Sequence, residues 1–201
     1  MRNFRFLKIA LTFLGLCIMN AQGQSFTSLW KQLNEAERKD LPQTVIQIAV
    51  RIEVKALQEK QVGQLFKAML WREYYQQQLT PDSLFSALQR MEQWSRTEEE
   101  MVSSALLHSI LATHYANYLR AEGYRISQRT ELLSEEASDD PRTWTRGVFV
   151  AVIDRHLTAS LSNPQQLMKV KTTAYQPLIK LQQGSEGYGH DLYHLLARRA
   201  I

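Results

Sequence analysis

The residues best placed to do chemistry are two histidines near the end of the sequence. His190 and His194 are four residues apart, which puts both imidazoles on one face of a helix, as in the zinc motif His-Glu-x-x-His. That motif needs glutamate as its general base, and here the shorter Asp191 follows His190. It also needs a third ligand, and only seven residues follow His194. Packing or surface roles are therefore favoured for both histidines, and we predict no metal-binding residues.

Two further histidines have contrasting surroundings in the sequence. His108 lies among apolar residues at helical spacing, which is typical of a hydrogen-bonded core histidine. His156 follows Asp154 and Arg155, and this charged neighbourhood predicts a solvated helix face. Neither pattern indicates a metal ligand or a catalytic base.

Acidic residues occur in three short clusters that could suggest acid–base catalysis. Adjacent residues on a helix point in different directions, and each cluster is expected at a loop or at a helix start, where acids cap the helix. The clusters are Glu98–Glu100, Glu135–Glu136 and Asp139–Asp140. The chain also has no glycine-rich phosphate loop and no nucleophile elbow. We therefore predict that it is not an enzyme, has no catalytic or cofactor-binding residues, and requires no cofactor.

The composition bounds the class of protein. Of the 201 residues, 44% are hydrophobic and 22% are charged, which is ordinary for a globular chain. The net charge of +4 depends on Arg2, Arg5 and Lys8, because without these three residues 21 basic side chains face 20 acidic ones. The charge balance therefore gives no support for a nucleic-acid partner, and no small-molecule substrate is evident.

Residues 1–23 have the pattern of a secretory signal peptide. Three basic residues precede an apolar stretch from Ile9 to Met19, and small residues allow cleavage after Gly23 or after Ala21. The apolar run is too short to span a membrane comfortably, so membrane contact is expected only through this segment. Leu16 is bulky where a lipoprotein site needs a small residue, so lipid attachment at Cys17 is not expected.

Cys17 is the only cysteine, so the mature chain would contain none and could form no disulfide. Export without disulfides suits a bacterial envelope protein. We therefore expect the protein in the periplasm or cell envelope of a Gram-negative bacterium.

After residue 23 the apolar residues recur with a period close to 3.6, which predicts an all-α domain over residues 24–201. Helix starts are predicted at Pro42, at Thr80-Pro81, at Glu98–Glu100, at Asp140-Pro141 and at Asn163-Pro164, where Gln166 is placed for a capping box. A long helix between Glu98 and Gly123 is apolar on most sides, which indicates burial from two directions. A loop is expected over residues 124–140, a glycine-rich loop at residues 184–189, and a last helix from His190.

Short turns between amphipathic helices indicate antiparallel helical hairpins. Residues 30–33, Trp-Lys-Gln-Leu, match the opening of a tetratricopeptide-type repeat, although no strict 34-residue period continues along the chain. We therefore predict about seven or eight helices stacked in a tetratricopeptide-like right-handed array. Trp30 and Trp144 both lie on apolar stripes and are expected to act in packing.

Five short runs, in this order, together resemble the N-terminal region of the large alpha-2-macroglobulin-like proteins of Bacteroidetes-type bacteria. These runs are Ser28–Gln32, Lys39–Pro42, Lys67–Leu70, Asp140–Trp144 and Leu192–Ala200. The resemblance implies an exported protein whose helical region precedes a series of β-sandwich domains, and whose family inhibits proteases by entrapment. No β-sandwich or bait region is recognisable here, and the mature part lacks the cysteine that an internal thioester needs.

The resemblance implies that the chain is the non-catalytic N-terminal helical module of such a protein, as a truncated product or a fragment. Its partner would be another protein or the remainder of a larger macroglobulin-like chain. The alternative is a free-standing envelope scaffold that binds a protein or peptide in its groove. A metalloprotein that uses His190 and His194 is the remaining hypothesis.

Overall fold

A computed structural model describes residues 24–129, 139–179 and 191–200 of the chain. Within these ranges the secondary structure consists of nine α-helices and two short 3-10 turns, so the prediction of an all-α fold is confirmed. Two of the nine helices are only five and four residues long, which agrees with the seven or eight expected. The single helical domain predicted after residue 23 comprises two compact units that divide between Pro81 and Asp82. The predicted signal peptide lies outside the described residues.

Among the described residues, the first unit contains three helices and the second contains six. The helices are α1 (Phe26–Arg38), α2 (Pro42–Gln58) and α3 (Val62–Leu79) in unit 1, followed in unit 2 by α4 (Ser83–Thr97), α5 (Met101–Ala121), α6 (Gly123–Ser127), α7 (Arg146–Ser160), α8 (Pro164–Leu167) and α9 (Leu192–Ala200). The 3-10 turns cover Pro141–Thr143 and Thr172–Tyr175. Among the described residues, no helix is both long enough and apolar enough to cross a membrane.

Unit 1 is a pair of antiparallel hairpins in which α2 packs along both α1 and α3. Its core contains the apolar stripes that the sequence predicts on α1 and α2, namely Leu29, Leu33, Ala36, Val45, Ile48, Ala49, Ile52 and Ala56. Trp30 is only half-buried, and its indole N–H donates a 2.6 Å hydrogen bond to Gln64 on α3. Tyr75 of α3 donates to Glu37 of α1, and burial together with this carboxylate raises the pKa of Tyr75 to about 12.

Both reversals in unit 1 have the same backbone geometry. Asp40 and Lys60 each have a φ of 53°, in the left-handed region, directly after a helix end. The following residues, Leu41 and Gln61, donate backbone hydrogen bonds back to Ala36 and Ala56. This is the Schellman pattern, which satisfies carbonyls at the helix end and is usually made with glycine. Glycine positions in the sequence do not reveal these turns, because neither turn contains a glycine.

Unit 2 is organised around α5, which packs against α4 on one side and α7 on another. Ten of its residues are buried, including Leu107, Leu111 and Tyr115. The predicted burial of this helix from two directions is confirmed. Glu100 caps it through its carboxylate, which accepts hydrogen bonds from the backbone N–H groups of Val102 and Ser103, as predicted for the acidic cluster. The α9 helix also contacts α5, where Arg199 donates to Thr113.

Several predicted helix boundaries are wrong by a few residues. Thr80 ends α3 and does not cap α4, which begins at Ser83. Asp140 caps only the 3-10 turn, and α7 begins at Arg146 with Thr145 as its cap. In both cases the proline fixes a turn that comes before the helix, because its ring restricts the residue on its N-terminal side.

Two other predicted loop and cap assignments also need correction. Gly123 starts the short helix α6, so part of the loop expected over residues 124–140 is helical, and Ile126 in it is buried. Asn163 makes no side-chain cap hydrogen bond to α8. The predicted loop at residues 184–189 lies outside the described residues.

Candidate functional site

A cleft of about 560 Å³ opens in unit 2, between α4 and α7 over the surface of α5. Most of one face of α4 lines it, and the segment before α7 forms one end. Its lining residues are Phe85, Ser86, Gln89, Glu92, Gln93, Arg96, Tyr115, Asp139, Asp140, Pro141, Arg142, Trp144, Val152 and Arg155. A concave surface with a few convergent polar groups is the usual form of a binding site.

At the floor of the cleft, Glu92 joins the three helices that surround it. Its Oε1 atom accepts a 3.0 Å hydrogen bond from the hydroxyl of Tyr115 on α5. The same oxygen lies 2.8 Å from Nε2 of His156 on α7. Arg155, also on α7, reaches it at 3.5 Å. One carboxylate therefore fixes the positions of α4, α5 and α7 relative to one another.

A second histidine extends this network away from the cleft. Nδ1 of His108 on α5 lies 2.8 Å from Nδ1 of His156. Nε2 of His156 faces the carboxylate and must carry a proton to donate to it. A neutral His156 therefore accepts from His108 at Nδ1, whereas a protonated His156 donates to it. The network is a continuous chain from Glu92 through His156 to His108.

The position of His156 corrects the sequence prediction. This side chain is only 1% exposed, although its charged neighbours Asp154 and Arg155 predicted a solvated face. His156 points inward because it lies one helical turn from Val152 and two turns from Phe149, on the side of α7 that meets α5. His108 has a hydrogen-bonded ring nitrogen, as predicted, but it is half-buried and not part of the core.

The electrostatics of this network favour fixed charge over proton transfer. Burial alone would raise the pKa of Glu92, but the hydrogen bonds from His156 and Tyr115 outweigh it and hold the pKa below its usual range. Burial and the Glu92 carboxylate raise the pKa of Tyr115 well above its usual range. Burial, together with the nearby His156, lowers the pKa of His108. Glu92 is thus a weak base and Tyr115 a weak acid, which is the opposite of what catalysis near neutral pH requires.

Aromatic rings form the wall at the end of the cleft near the start of α7. Trp144 is 8% exposed, and its ring centroid lies 5.3 Å from that of Tyr115 and 5.2 Å from that of Phe149. The predicted packing of Trp144 is confirmed. Phe85 of α4 is half-buried at the same end, where the guanidinium of Arg142 lies 5.1 Å from its ring centroid. Arg142 also pairs with Asp140 at 2.9 Å, so this end combines an aromatic surface with a neutral ion pair.

The middle and the opposite end of the cleft carry polar groups that face solvent. Gln89, Gln93 and Arg96 are exposed on α4, and none of them makes a side-chain hydrogen bond or ion pair to any described residue. Arg155 is 60% exposed and makes only long contacts, 3.5 Å to Glu92 and 3.3 Å to the ring of His156. Among the described residues, the two amides and the guanidinium group of Arg96 therefore have no partner, and Arg155 has donors left beyond its long contact with Glu92.

Of the remaining candidate residues, those that the structure describes lie outside the cleft. His194 Nδ1 is 2.8 Å from Asp191 Oδ2 at the start of α9, and His190 lies outside the described residues. Across the parts of the chain that the structure describes, no group of three histidine, cysteine or acidic side chains is arranged to hold a metal ion. Glu98 accepts from the indole of Trp94 at 2.7 Å, and Glu135–Glu136 lie outside the described residues.

Sequence reasoning did not find the residues of the cleft. Five of its α4 residues recur at helical spacing on one face, namely Phe85, Gln89, Glu92, Gln93 and Arg96. The only signal in the sequence is a helix face on which one aromatic residue is followed only by amide and charged side chains. A solvated helix surface has the same composition, so this pattern alone does not indicate a cleft.

No family model matches this chain, and no characterised protein or solved structure is significantly similar to it. The relationship to alpha-2-macroglobulin-like proteins therefore stays a prediction from the sequence.

Proposed function

We propose that the chain is a non-catalytic helical module that binds a segment of a partner protein in the cleft of unit 2. The observation that carries the proposal is a row of exposed polar side chains on α4, Gln89, Gln93 and Arg96, which faces Arg155 across the cleft. None of these three side chains has a hydrogen bond or ion pair to a described residue. Binding sites combine a shaped concave surface with a small number of such groups.

The shape and chemistry of the cleft suit an extended polypeptide better than a small metabolite. The lining face of α4 runs from Phe85 to Arg96, a rise of about 16 Å along a helix. The amides of Gln89 and Gln93 each offer one acceptor oxygen and an NH₂ donor, the pair of groups that a peptide backbone also presents. The floor is made of Glu92 and Tyr115, which are already bonded to each other and carry no free nucleophile.

The test is to select peptides from a random displayed library for binding to residues 24–201, the predicted mature chain. The Gln89→Trp variant fills the cleft, and Gln165→Trp places the same side chain on the exposed surface of α8. We expect the wild type and Gln165→Trp to enrich the same peptides and Gln89→Trp to lose them. No enrichment, or enrichment that survives Gln89→Trp, would refute binding in the cleft.

We also propose that the protein is exported to the cell envelope and is the N-terminal module of an alpha-2-macroglobulin-like protein. The support for export is the order of basic residues, apolar stretch and small residues within residues 1–23. N-terminal sequencing of envelope material should begin at Gln24 or Gln22, and a cytoplasmic chain that begins at Met1 would contradict export. A β-sandwich macroglobulin region encoded in the DNA after Ile201 would support the family relationship.

A further inference from the structure

We propose that the cleft of unit 2 is specific for an acidic peptide segment, with Arg96 and Arg155 binding a carboxylate of that segment. The inference rests on the proposed function and adds the chemical class of the ligand. It follows from which charges in the cleft are already neutralised and which are not.

Charges near the aromatic end and on the floor of the cleft are already paired. Arg142 pairs with Asp140 at 2.9 Å, and Glu92 accepts from His156 and Tyr115. Arg155 forms one long ion pair, 3.5 Å to Glu92, and Arg96 forms none to a described residue, so two guanidinium groups face the single carboxylate of Glu92 here. The other lining acid, the exposed Asp139, lies in the segment before α7, next to Asp140. The open charge at the end away from Phe85 is therefore positive.

The two guanidinium groups approach this end from opposite sides. Arg96 projects from the last full turn of α4, while Arg155 lies on α7 next to His156 and within 3.5 Å of Glu92, one turn earlier along α4. A guanidinium group binds a carboxylate through two parallel N–H donors, so two of them can hold one carboxylate from both sides. An ammonium-bearing segment would meet repulsion at the same place.

The remaining lining groups explain why the ligand is a peptide and not a free anion. Gln89 and Gln93 lie between Phe85 and Arg96 on α4, where they can pair with backbone N–H and C=O groups. The distance from Phe85 to Arg96 along the helix is about 16 Å, which an extended chain covers in about five residues. The preferred segment thus has an apolar side chain against Phe85 and Val152 and a carboxylate about five residues away.

The experiment uses the peptides enriched by the wild-type chain in the selection above. Asp and Glu should be enriched over the starting library. Replacing the acidic residue of a selected peptide by its amide should weaken binding to the wild type about tenfold, the loss expected for one charge-assisted pair. Arg96→Gln should weaken the acidic peptide by a similar factor and leave the amide peptide unchanged, because Arg96 has no hydrogen bond or ion pair to any described residue whose loss could disturb the fold.

Three controls separate this inference from alternatives. Arg146→Gln removes an exposed arginine of unit 2 that does not line the cleft, and should leave the affinity unchanged. Arg155→Lys keeps the positive charge but loses the paired N–H donors of the guanidinium group. This variant should bind the acidic peptide more tightly than Arg155→Gln but more weakly than the wild type. Circular dichroism melting of each variant shows that unit 2 is folded.

Two results would overturn the proposal. Enriched peptides that lose binding with Gln89→Trp but contain no excess of Asp or Glu would refute acidic specificity while leaving peptide binding in place. Equal binding of an acidic peptide and its scrambled sequence, or equal loss with Arg146→Gln, would indicate general charge attraction to any polyanion. Failure of the selection itself would instead refute the proposed function.

Discussion

The short contact between Glu92 and His156 predicts that these two residues are thermodynamically coupled. Substitution of His156 by leucine removes the donor that lies 2.8 Å from the carboxylate and leaves Glu92, whose side chain is 15% exposed, with a missing partner. A hydrogen bond to a charged group contributes about 1.5–3 kcal/mol, and because His156 is buried and Glu92 mostly so, we expect the upper end of this range, about 3 kcal/mol. Tyr115 still donates to Glu92 and limits the loss.

The reciprocal substitution, Glu92→Leu, leaves Nε2 of the buried His156 without its acceptor. An unsatisfied buried polar group costs about 1–3 kcal/mol, so we expect about 2 kcal/mol. The double variant removes both members and leaves neither unsatisfied. Its cost should be about 3 kcal/mol instead of the sum of about 5, which is a coupling energy of about 2 kcal/mol, within the range found for residues in contact.

The assay is urea unfolding of residues 24–201 at neutral pH, followed by circular dichroism, for the wild type, the two single variants and the double variant. Glu122→Leu is the matched control, because Glu122 pairs with Arg125 on the surface and should cost less than about 0.5 kcal/mol. Additivity of the two substitutions within about 0.5 kcal/mol would refute the coupling and with it the network as the link between α4 and α7.

Four further predictions concern the stability of the chain, its dependence on pH, and protease inhibition. The melting temperature should fall as the pH drops below 6.5, because the pKa of His108 is lowered in the native chain and the unfolded chain then binds a proton that the native chain does not. The lowered pKa of Glu92 adds to this loss of stability below pH 4.5. In the His108→Asn variant the melting temperature should depend less on pH near 6. Lys60→Gly should stabilise the chain by about 0.5–1 kcal/mol in urea unfolding, because glycine adopts a left-handed φ without the steric strain that a Cβ atom causes there. Trp144→Ala should destabilise it by about 3 kcal/mol, and an unchanged melting curve would show that the ring contributes nothing to packing. Purified residues 24–201 should not protect a large protein substrate from broad-specificity proteases, and stoichiometric protection would show that the module inhibits on its own.

The parts of the fold that depend on local periodicity could be predicted from the sequence. Leu29, Leu33 and Ala36 are buried on α1 because apolar residues at this spacing share one helix face. Glu100 caps α5 because an acidic side chain at a helix start accepts hydrogen bonds from free backbone N–H groups. Both facts follow from residues within a few positions of each other.

The candidate site could not be predicted in the same way, because its contacts join distant residues. Glu92 and His156 are 64 positions apart, and His108 is 48 positions from His156. The local sequence around His156 is charged, and only the packing of α7 on α5 turns its ring inward. Arg96 is equally ambiguous, since an exposed arginine has the same local pattern whether it lines a cleft or a plain surface.

The central position of α5 has a consequence for the fate of incomplete chains. Its apolar surface is covered on one side by α4 and on another by α7, which follows it by more than twenty residues. A chain cut or stalled before Arg146 would therefore leave the α7-facing side of α5, including Tyr115, whose ring contacts Phe149 and His156, without its native cover. Such a species is a substrate for chaperones and proteases and a seed for aggregation. Conversely, the backbone amides of α5 in the complete chain should be among the slowest in unit 2 to exchange with deuterium, because they open only when the whole unit unfolds.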